Sequence, residues 1–168
     1  MLYEMTIPQF TKMLRNLNNI LGKAATFAEI KKIDMDVLMQ SRLAPDQFNL
    51  AKQIQIACDT AKLFAARMAG KDAPVHDDKE TTYPQMKTRI EDVISYLSKF
   101  SAADFADANE RKITQPRWEG KYVTGFEYAS QHATPNLYFH ITTAYAILRH
   151  NGVEVGKKDF LGEMPYKT

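Results

Sequence analysis

The sequence contains one cysteine, Cys58, which excludes a disulfide within the chain. Its apolar, helix-forming neighbours predict a buried, unreactive thiol in a reducing compartment. The 22 Lys and Arg residues nearly balance the 20 Asp and Glu residues, and a net charge of +2 is too small to indicate a nucleic-acid-binding protein. Residues 1–5 carry no basic segment followed by a long apolar run, so we expect neither secretion nor a membrane span, and a cytoplasmic protein.

The chain also lacks the common catalytic motifs. It has no glycine-rich phosphate-binding loop, no His-Glu-x-x-His pair and no Gly-x-Ser-x-Gly turn. Repeats, low-complexity tracts and interdomain linkers are missing as well. A length of 168 residues, with 45% apolar and 25% charged residues, therefore predicts one globular domain over residues 1–168.

Four stretches have apolar residues at every third or fourth position, the pattern of amphipathic helices. The first is predicted from an N-cap at Thr6 to Lys31, and a short turn is expected over residues 34–40. The second is predicted from Ala44 to Gly70, because glycine commonly ends a helix.

The remaining elements are predicted from the same pattern. A third helix covers residues 82–100, and Ser101 caps a short turn after it. Residues 111–122 are expected to form a small hairpin-like excursion. The fourth helix is predicted from Thr134, as its N-cap, to Gly152, and the tail over residues 153–168 is expected to be mostly irregular, with Phe160 and Leu161 packing back on the bundle.

None of the four helices is apolar all round, so each must bury one stripe against the others. The predicted fold is therefore all-α, an antiparallel four-helix bundle with the short excursion before the last helix.

The histidines are the first candidate functional residues. His140 lies in the middle of the apolar stripe of the fourth helix, where a buried imidazole needs a hydrogen-bond partner. It is either a core histidine bonded to a backbone carbonyl or a hydroxyl such as Thr143, or it lines a central pocket. His150 is either a C-terminal residue that suits the helix dipole or a functional group. His76 and His132 fall in predicted loops and are expected at the solvated surface.

Asp59 is the second candidate, because it lies among apolar residues of the second helix. It either pairs with Lys62 or Lys52 at the surface, or it faces the bundle interior, where it could hold a histidine tautomer or bind a metal. Gln55, one turn earlier, would share the same wall.

Four segments carry a resemblance to a known family. These are RLAPD at 42–46, QIQIACDTAK at 53–62, the run 136–152 and GKKDFLG at 156–162. They resemble an uncharacterised bacterial domain-of-unknown-function family, a branch of the DinB/YfiT-like metalloenzyme superfamily. This resemblance implies a four-helix bundle that forms a homodimer.

Many members of that wider group bind a divalent metal, commonly nickel or zinc. They use one histidine from helix two and two histidines, four residues apart, on the last helix. His150, followed by Asn151 and Gly152, matches the last ligand, whereas Ala146 stands where the other is expected. Helix two offers only Asp59 or Gln55, so the resemblance supports the fold and argues against a complete metal site.

Two functions are consistent with these residues. The first is a small-molecule-binding protein with a degenerate metal site and a central pocket lined by Asp59, His140, Tyr145 and His150. The second is an enzyme: a hydrolase that depends on a metal or uses His150 and Asp59 as a general base, or a thiol-dependent transferase.

Overall fold

The computed structural model describes residues 1–167. Its helices are α1 (Leu2–Lys31), α2 (Met35–Gln40), α3 (Leu50–Ala69), α4 (Tyr83–Leu97), α5 (Gly125–Glu127), α6 (Thr134–His150) and α7 (Lys157–Leu161). A π-helical segment (Tyr128–Ala133) joins α5 to α6, and two 3₁₀ turns cover Ala102–Phe105 and Pro116–Trp118. The two short strands are β1 (Lys112–Ile113) and β2 (Val123–Thr124).

The predicted four-helix bundle is confirmed, with α1, α3, α4 and α6 packed around one apolar core. The apolar stripes read from the sequence are the ones that become buried, because burying them against each other removes their surface from water. Fully buried members of this core are Phe10, Leu14, Leu17, Ile54, Phe64, Ile90, Ile141 and Ile147.

The helices do not simply alternate in direction. Asn136 near the start of α6 bonds Thr60 in the second half of α3, so these two helices are antiparallel. Tyr96 at the end of α4 bonds the carbonyl of Asp72, just beyond the end of α3, so α3 and α4 run the same way. The order is up-down-down-up, because the loop over residues 70–82 crosses back along the bundle between α3 and α4.

The starts of the first two long helices differ from prediction. α1 begins at Leu2 instead of after Thr6, because Leu2 and Tyr3 pack against the core. The Thr6 hydroxyl donates to the Leu2 carbonyl inside the helix, at 2.6 Å, and does not cap it. α3 begins at Leu50 instead of Ala44, because the Asn49 side chain caps it by accepting from the backbone N–H of Lys52.

The last long helix also begins earlier than predicted. Thr124 and Glu127 form a reciprocal cap at the start of α5, and the helix continues through the π-helical segment into α6. Thr134 is therefore an interior residue, and its N–H bonds the Ala129 carbonyl five residues earlier. Pro135, which has no N–H to donate, follows directly after this widened turn.

The first two long helices end as predicted, at Lys31 and just before Gly70 (φ 64°). The other two end earlier than predicted. α4 ends at Leu97 instead of Phe100, and α6 ends at His150, two residues before Gly152 (φ 89°). β1 and β2 pair antiparallel and form the expected excursion. The tail contains the short α7, whose Phe160 packs on the core.

Two further features bear on the class of protein. None of the helices within residues 1–167 has the length and apolarity needed to cross a lipid bilayer. Cys58 is fully buried in α3, and burial raises the pKa of its thiol to about 12. The predicted burial of this thiol is confirmed, and the raised pKa is consistent with low reactivity.

Candidate functional site

A cavity of about 480 Å³ opens between α3, the π-helical segment and the first half of α6. The turn Pro116–Trp118 forms its rim. Its apolar wall includes Ile56 and Leu63 of α3. The polar side chains that line it are Asp59, Thr60, Arg67, Gln115, Arg117, Tyr128, His132, Asn136 and His140.

His140 is held in this cavity by a hydrogen-bonded chain that also fixes its tautomer. The Gln53 amide nitrogen donates to the Phe48 carbonyl at 3.0 Å, so the Gln53 oxygen is the group that faces the imidazole. That oxygen lies 2.7 Å from His140 Nδ1, which must therefore carry the proton. Burial lowers the pKa of His140 to about 4, so at neutral pH the ring is uncharged and Nε2 is an acceptor.

The opposite wall consists of two stacked rings from the π-helical segment. Tyr128 and His132, four residues apart, have ring centroids 5.2 Å apart at an interplanar angle of 19°. The indole of Trp118 meets the His132 ring edge-on at 5.8 Å. π-helical turns widen a helix locally and are frequent at functional sites. Here the segment brings both rings to one face.

Each ring is bonded to an arginine. Arg67 Nη1 lies 2.6 Å from the Tyr128 hydroxyl, and Arg117 Nη2 lies 2.8 Å from His132 Nε2. Because a guanidinium can only donate, His132 Nε2 accepts and Nδ1 carries the proton. Burial, followed by the charges of Arg117 and Arg67, lowers the pKa of His132, so this ring is also neutral. His132, predicted at the solvated surface, is instead a half-buried part of the cavity wall.

Asp59 connects the cavity to a cluster of buried cations. Its Oδ1 lies 2.8 Å from Lys62 Nζ and 2.9 Å from Arg89 Nη2. Both cationic side chains are buried, with 4% and 1% of their surface exposed, whereas 29% of the Asp59 side chain is exposed. Asp59 thus pairs with Lys62 and also lines the cavity, which combines the two interpretations drawn from the sequence.

Arg89 also holds the crossover loop in place. Its Nη1 lies 2.8 Å from Asp78 Oδ1 and 2.9 Å from Glu80 Oε2, both in the loop. Burial alone would lower the pKa of Arg89, but Asp59, Asp78 and Glu80 raise it. Burial would likewise raise the pKa of Asp78, but hydrogen bonds from Lys52 and Arg89 lower it. The loop is therefore attached to α3 and α4 mainly by charge.

His76 lies in the same loop and differs from prediction. It is half-buried, and its Nδ1 accepts from Lys62 Nζ at 2.8 Å. Burial, followed by the charges of Lys62 and Arg89, lowers the pKa of His76. His76 thus has a structural role, because its neutral ring accepts a hydrogen bond from the buried Lys62 and holds the loop against α3.

Tyr145 and His150 lie outside the cavity. The Tyr145 hydroxyl donates to the Val155 carbonyl at 3.4 Å, and its ring packs against Phe160 at the tail. His150 is exposed at the end of α6. Of the four side chains proposed for a central pocket, the structure therefore brings together Asp59 and His140 only.

The geometry also rules out His150 and Asp59 as a base and its carboxylate. Asn136 bonds Thr60, the neighbour of Asp59, at 2.7 Å. The length of α6 from Asn136 to His150 is about 21 Å at 1.5 Å per residue. Because α3 and α6 are antiparallel, His150 lies about that far from Asp59, well beyond hydrogen-bond reach.

The residues present do not fit the nickel or zinc site implied by the resemblance. His150 is exposed, Ala146 offers no ligand, Asp59 is paired with two cations, and the Gln55 amide donates to Glu80 in the loop. Within residues 1–167, no three His, Cys, Asp or Glu side chains are grouped so as to hold a metal ion. A three-ligand site of this kind needs such a group.

Sequence reasoning missed the arginine-bearing wall of the cavity. Its signal was present in Thr124-Gly-Phe-Glu127, which matches the pattern of a capping box and places a helix start ahead of Tyr128. A helix from that point would have placed Tyr128 and His132 on one face. The contribution of Arg67 and Arg117 depends on tertiary packing and has no local signal.

Comparisons with known proteins match the chain to a family model and to solved structures. The family model described as "Domain of unknown function (DUF1993)" matches residues 2–161. The chain is also similar to a solved structure, the crystal structure of a DinB family member protein from Shewanella denitrificans, with 65% sequence identity and a TM-score of 0.97. That alignment covers all of this chain and 96% of the other. Among proteins with curated descriptions, none matches.

Proposed function

Because this chain belongs to the DUF1993 family and has a DinB-like bundle fold, we propose that it is a small-molecule-binding protein whose ligand occupies the cavity between α3, the π-helical segment and α6. The observation that carries the proposal is the cavity itself, which combines a volume of about 480 Å³ with convergent polar groups. Ligand sites typically have a few hundred cubic ångströms and a few well-placed polar groups.

The polar groups of the cavity are already oriented. The Phe48–Gln53–His140 chain leaves the His140 Nε2 as an acceptor, and Arg67 and Arg117 are anchored to the rings of the opposite wall. Groups held in this way lose little conformational entropy when a ligand binds. This arrangement supports recognition of a specific molecule.

Binding is better supported than catalysis. A general base works best when its pKa lies near the operating pH, whereas the pKa of His140 is about 4. Cys58 has its pKa raised to about 12 and is fully buried, so it is a poor nucleophile for a thiol chemistry. Neither His140 nor Cys58 is therefore well suited to carry a hydrolase or transferase reaction.

A cavity-filling variant tests the proposal. Leu63 lines the cavity and is half-buried, so Leu63→Phe adds bulk inside it without burying a new polar group. Trp118 is the only tryptophan of the chain and touches the His132 ring, so its fluorescence reports occupancy. We expect compounds selected by binding to the wild type to shift Trp118 emission and to lose at least tenfold in affinity with Leu63→Phe.

The matched control is Ile30→Phe on α1, where the side chain is 73% exposed and remote from the cavity. This variant should bind like the wild type. The proposal is wrong if a broad metabolite screen yields no compound that shifts Trp118 emission, or if Leu63→Phe binds every such compound as tightly as Ile30→Phe does.

We also propose the homodimer implied by the resemblance. The exposed aromatic rings Phe48, Phe126 and Phe139, each 55–56% exposed, offer apolar surface of the kind that subunit contacts use. Sedimentation at a single-chain mass, at micromolar concentration, would contradict it.

A further inference from the structure

We propose that the ligand of this cavity is an organic anion, a carboxylate or a phosphate ester, held by Arg67 and Arg117. This inference rests on the binding function proposed above and specifies the chemical class of the ligand. It depends on the charge balance of the cavity walls, on the donors that the arginines keep free, and on the rings beside them.

The cavity carries an excess of positive charge. Within residues 1–167, Asp59 is the one carboxylate that lines it, and Asp59 is already paired with the buried Lys62 and Arg89. None of the ion pairs in this part of the chain includes Arg67 or Arg117. The charges of these two arginines are therefore left for a ligand to balance.

Both arginines keep donors free for that ligand. A guanidinium has five N–H groups in a fixed fork that matches carboxylate and phosphate oxygens. One nitrogen of Arg67 bonds the Tyr128 hydroxyl and one of Arg117 bonds His132 Nε2, which fixes each side chain without using the whole fork. Both acceptors are neutral, so they orient the guanidinium groups without cancelling their charge.

The surroundings favour an anion over other ligands. His132 and His140 are neutral at pH 7 and add no negative charge that would hold a cation. Arg67 is half-buried, which strengthens its attraction to an anion relative to bulk water, whereas Arg117 is exposed at the rim. The rings of Tyr128 and His132 and the apolar Ile56 and Leu63 provide surface for a carbon skeleton. An organic anion uses all of these groups together.

Charged quenchers of Trp118 fluorescence test the local potential without any knowledge of the ligand. Iodide should quench the wild type with a Stern–Volmer constant several-fold larger than that of caesium, because anions concentrate near positive charge. Arg117→Gln should remove most of this preference while quenching by neutral acrylamide stays unchanged. Arg15→Gln, an exposed α1 variant with the same change in net charge, should keep the preference. Equal quenching by iodide and caesium in the wild type would overturn the proposal.

Four probes of similar shape test the ligand class directly: benzoate, phenylphosphonate, benzamide and benzylamine. We expect the two anions to shift Trp118 emission at millimolar concentration. Arg117→Gln should lower their binding affinity about tenfold or more. Which of the two anions binds more tightly separates a carboxylate ligand from a phosphate ester. Arg67→Lys keeps the charge but loses the paired N–H donors of the guanidinium. It should therefore lower the affinity for phenylphosphonate and benzoate less than Arg67→Gln does.

The outcomes separate this inference from the function on which it rests. Suppose that benzamide binds as tightly as benzoate, and that Leu63→Phe abolishes this binding while Arg117→Gln does not. The cavity would then still be a binding site, but the inference that its ligand is an anion would be wrong. Binding of benzylamine in preference to benzoate would also overturn it. Binding by none of the four would contradict the anion class, whereas the metabolite screen would still decide the binding function.

Discussion

At the scale of single residues, Arg89 holds together parts of the fold that the sequence keeps far apart. It is 2% exposed, yet it contacts Asp59 of α3 and two carboxylates of the crossover loop. A buried guanidinium is tolerated only with such partners. Arg89 lies on an amphipathic helix with many charged residues, and its burial could not be predicted because its partners lie in a loop without periodic pattern.

Replacement of this arginine should destabilise the protein. Arg89→Met keeps an apolar side chain of similar length but leaves Asp59, Asp78 and Glu80 without their shared cation. We expect the free energy of unfolding to fall by about 3 kcal/mol. Urea denaturation followed by circular dichroism measures the change.

The matched control is Lys79→Met in the same loop. Lys79 pairs with Asp77 at the surface, where the two side chains are 83% and 68% exposed. Such a pair contributes little, so the free energy of unfolding should change by no more than about 0.5 kcal/mol. If both variants lower the free energy of unfolding by the same amount, Arg89 does not anchor the crossover loop.

Two residues of the cavity, Asp59 and His140, could be predicted from the sequence because helix periodicity fixes the direction of a side chain. Asp59 and His140 both point inward on that basis, and the structure brings them to one cavity. Tyr145 and His150 were assigned to the same pocket although they lie further along α6. Periodicity gives the face of a helix, but the position along its axis depends on how neighbouring helices pair.

At the scale of elements, the joined helix from α5 through the π-helical segment to α6 determines the shape of the site. Two sequence signals competed for its start: Thr134 with Pro135, and the capping box at Thr124 and Glu127. The second prevails because the segment between them packs Tyr128 and Ala129 into the core. The π-helical turn then accommodates Pro135 inside the helix.

Gly125 at the start of this joined helix should be intolerant of any side chain. A Cβ atom there would overlap the Ala108 carbonyl oxygen, since α5 lies against the backbone at Ala108. The Phe126 N–H also bonds the Asn109 carbonyl at 3.1 Å, which fixes this close approach. We expect Gly125→Ala to lower the free energy of unfolding by about 2 kcal/mol, measured by urea denaturation.

Gly156→Ala provides the comparison, because Gly156 has an extended backbone (φ −138°) and no atom within 4 Å of an added Cβ. Its free energy of unfolding should stay within about 0.5 kcal/mol of the wild type. A Gly125→Ala protein as stable as Gly156→Ala would show that α5 can shift away from Ala108 at little cost.

At the scale of the whole molecule, composition and periodicity predicted the bundle and its four helices but not the directions in which they run. Apolar stripes indicate which faces of the helices are buried. These faces can be buried both in a bundle of alternating helices and in the up-down-down-up order. The crossover loop decides between the two. It is long enough to return along α3, and its carboxylates meet Arg89 and Lys52 there.

Stability should depend on pH through the cavity. The pKa of His140 is lowered to about 4 by burial and is about 6.5 in the unfolded chain, so the unfolded state binds more protons between these values. The stability linked to the neutral ring is fully present above pH 6.5 and is lost as pH falls toward 4. Over that range the loss is about 3 kcal/mol. His76 and His132, whose pKa values are also lowered, act in the same direction.

His140→Asn isolates the contribution of His140. Its amide nitrogen takes the place of Nδ1 and can still donate to Gln53, but the side chain does not titrate. Urea denaturation at pH 7, 5.5 and 4.5 should show the wild type losing stability faster than the variant as pH falls, since His76 and His132 are unchanged in both. Parallel curves would mean that His140 accepts a proton in the folded protein as readily as in water. The cavity would then be wet at this ring, and the lowered pKa that we assign to His140 would be wrong.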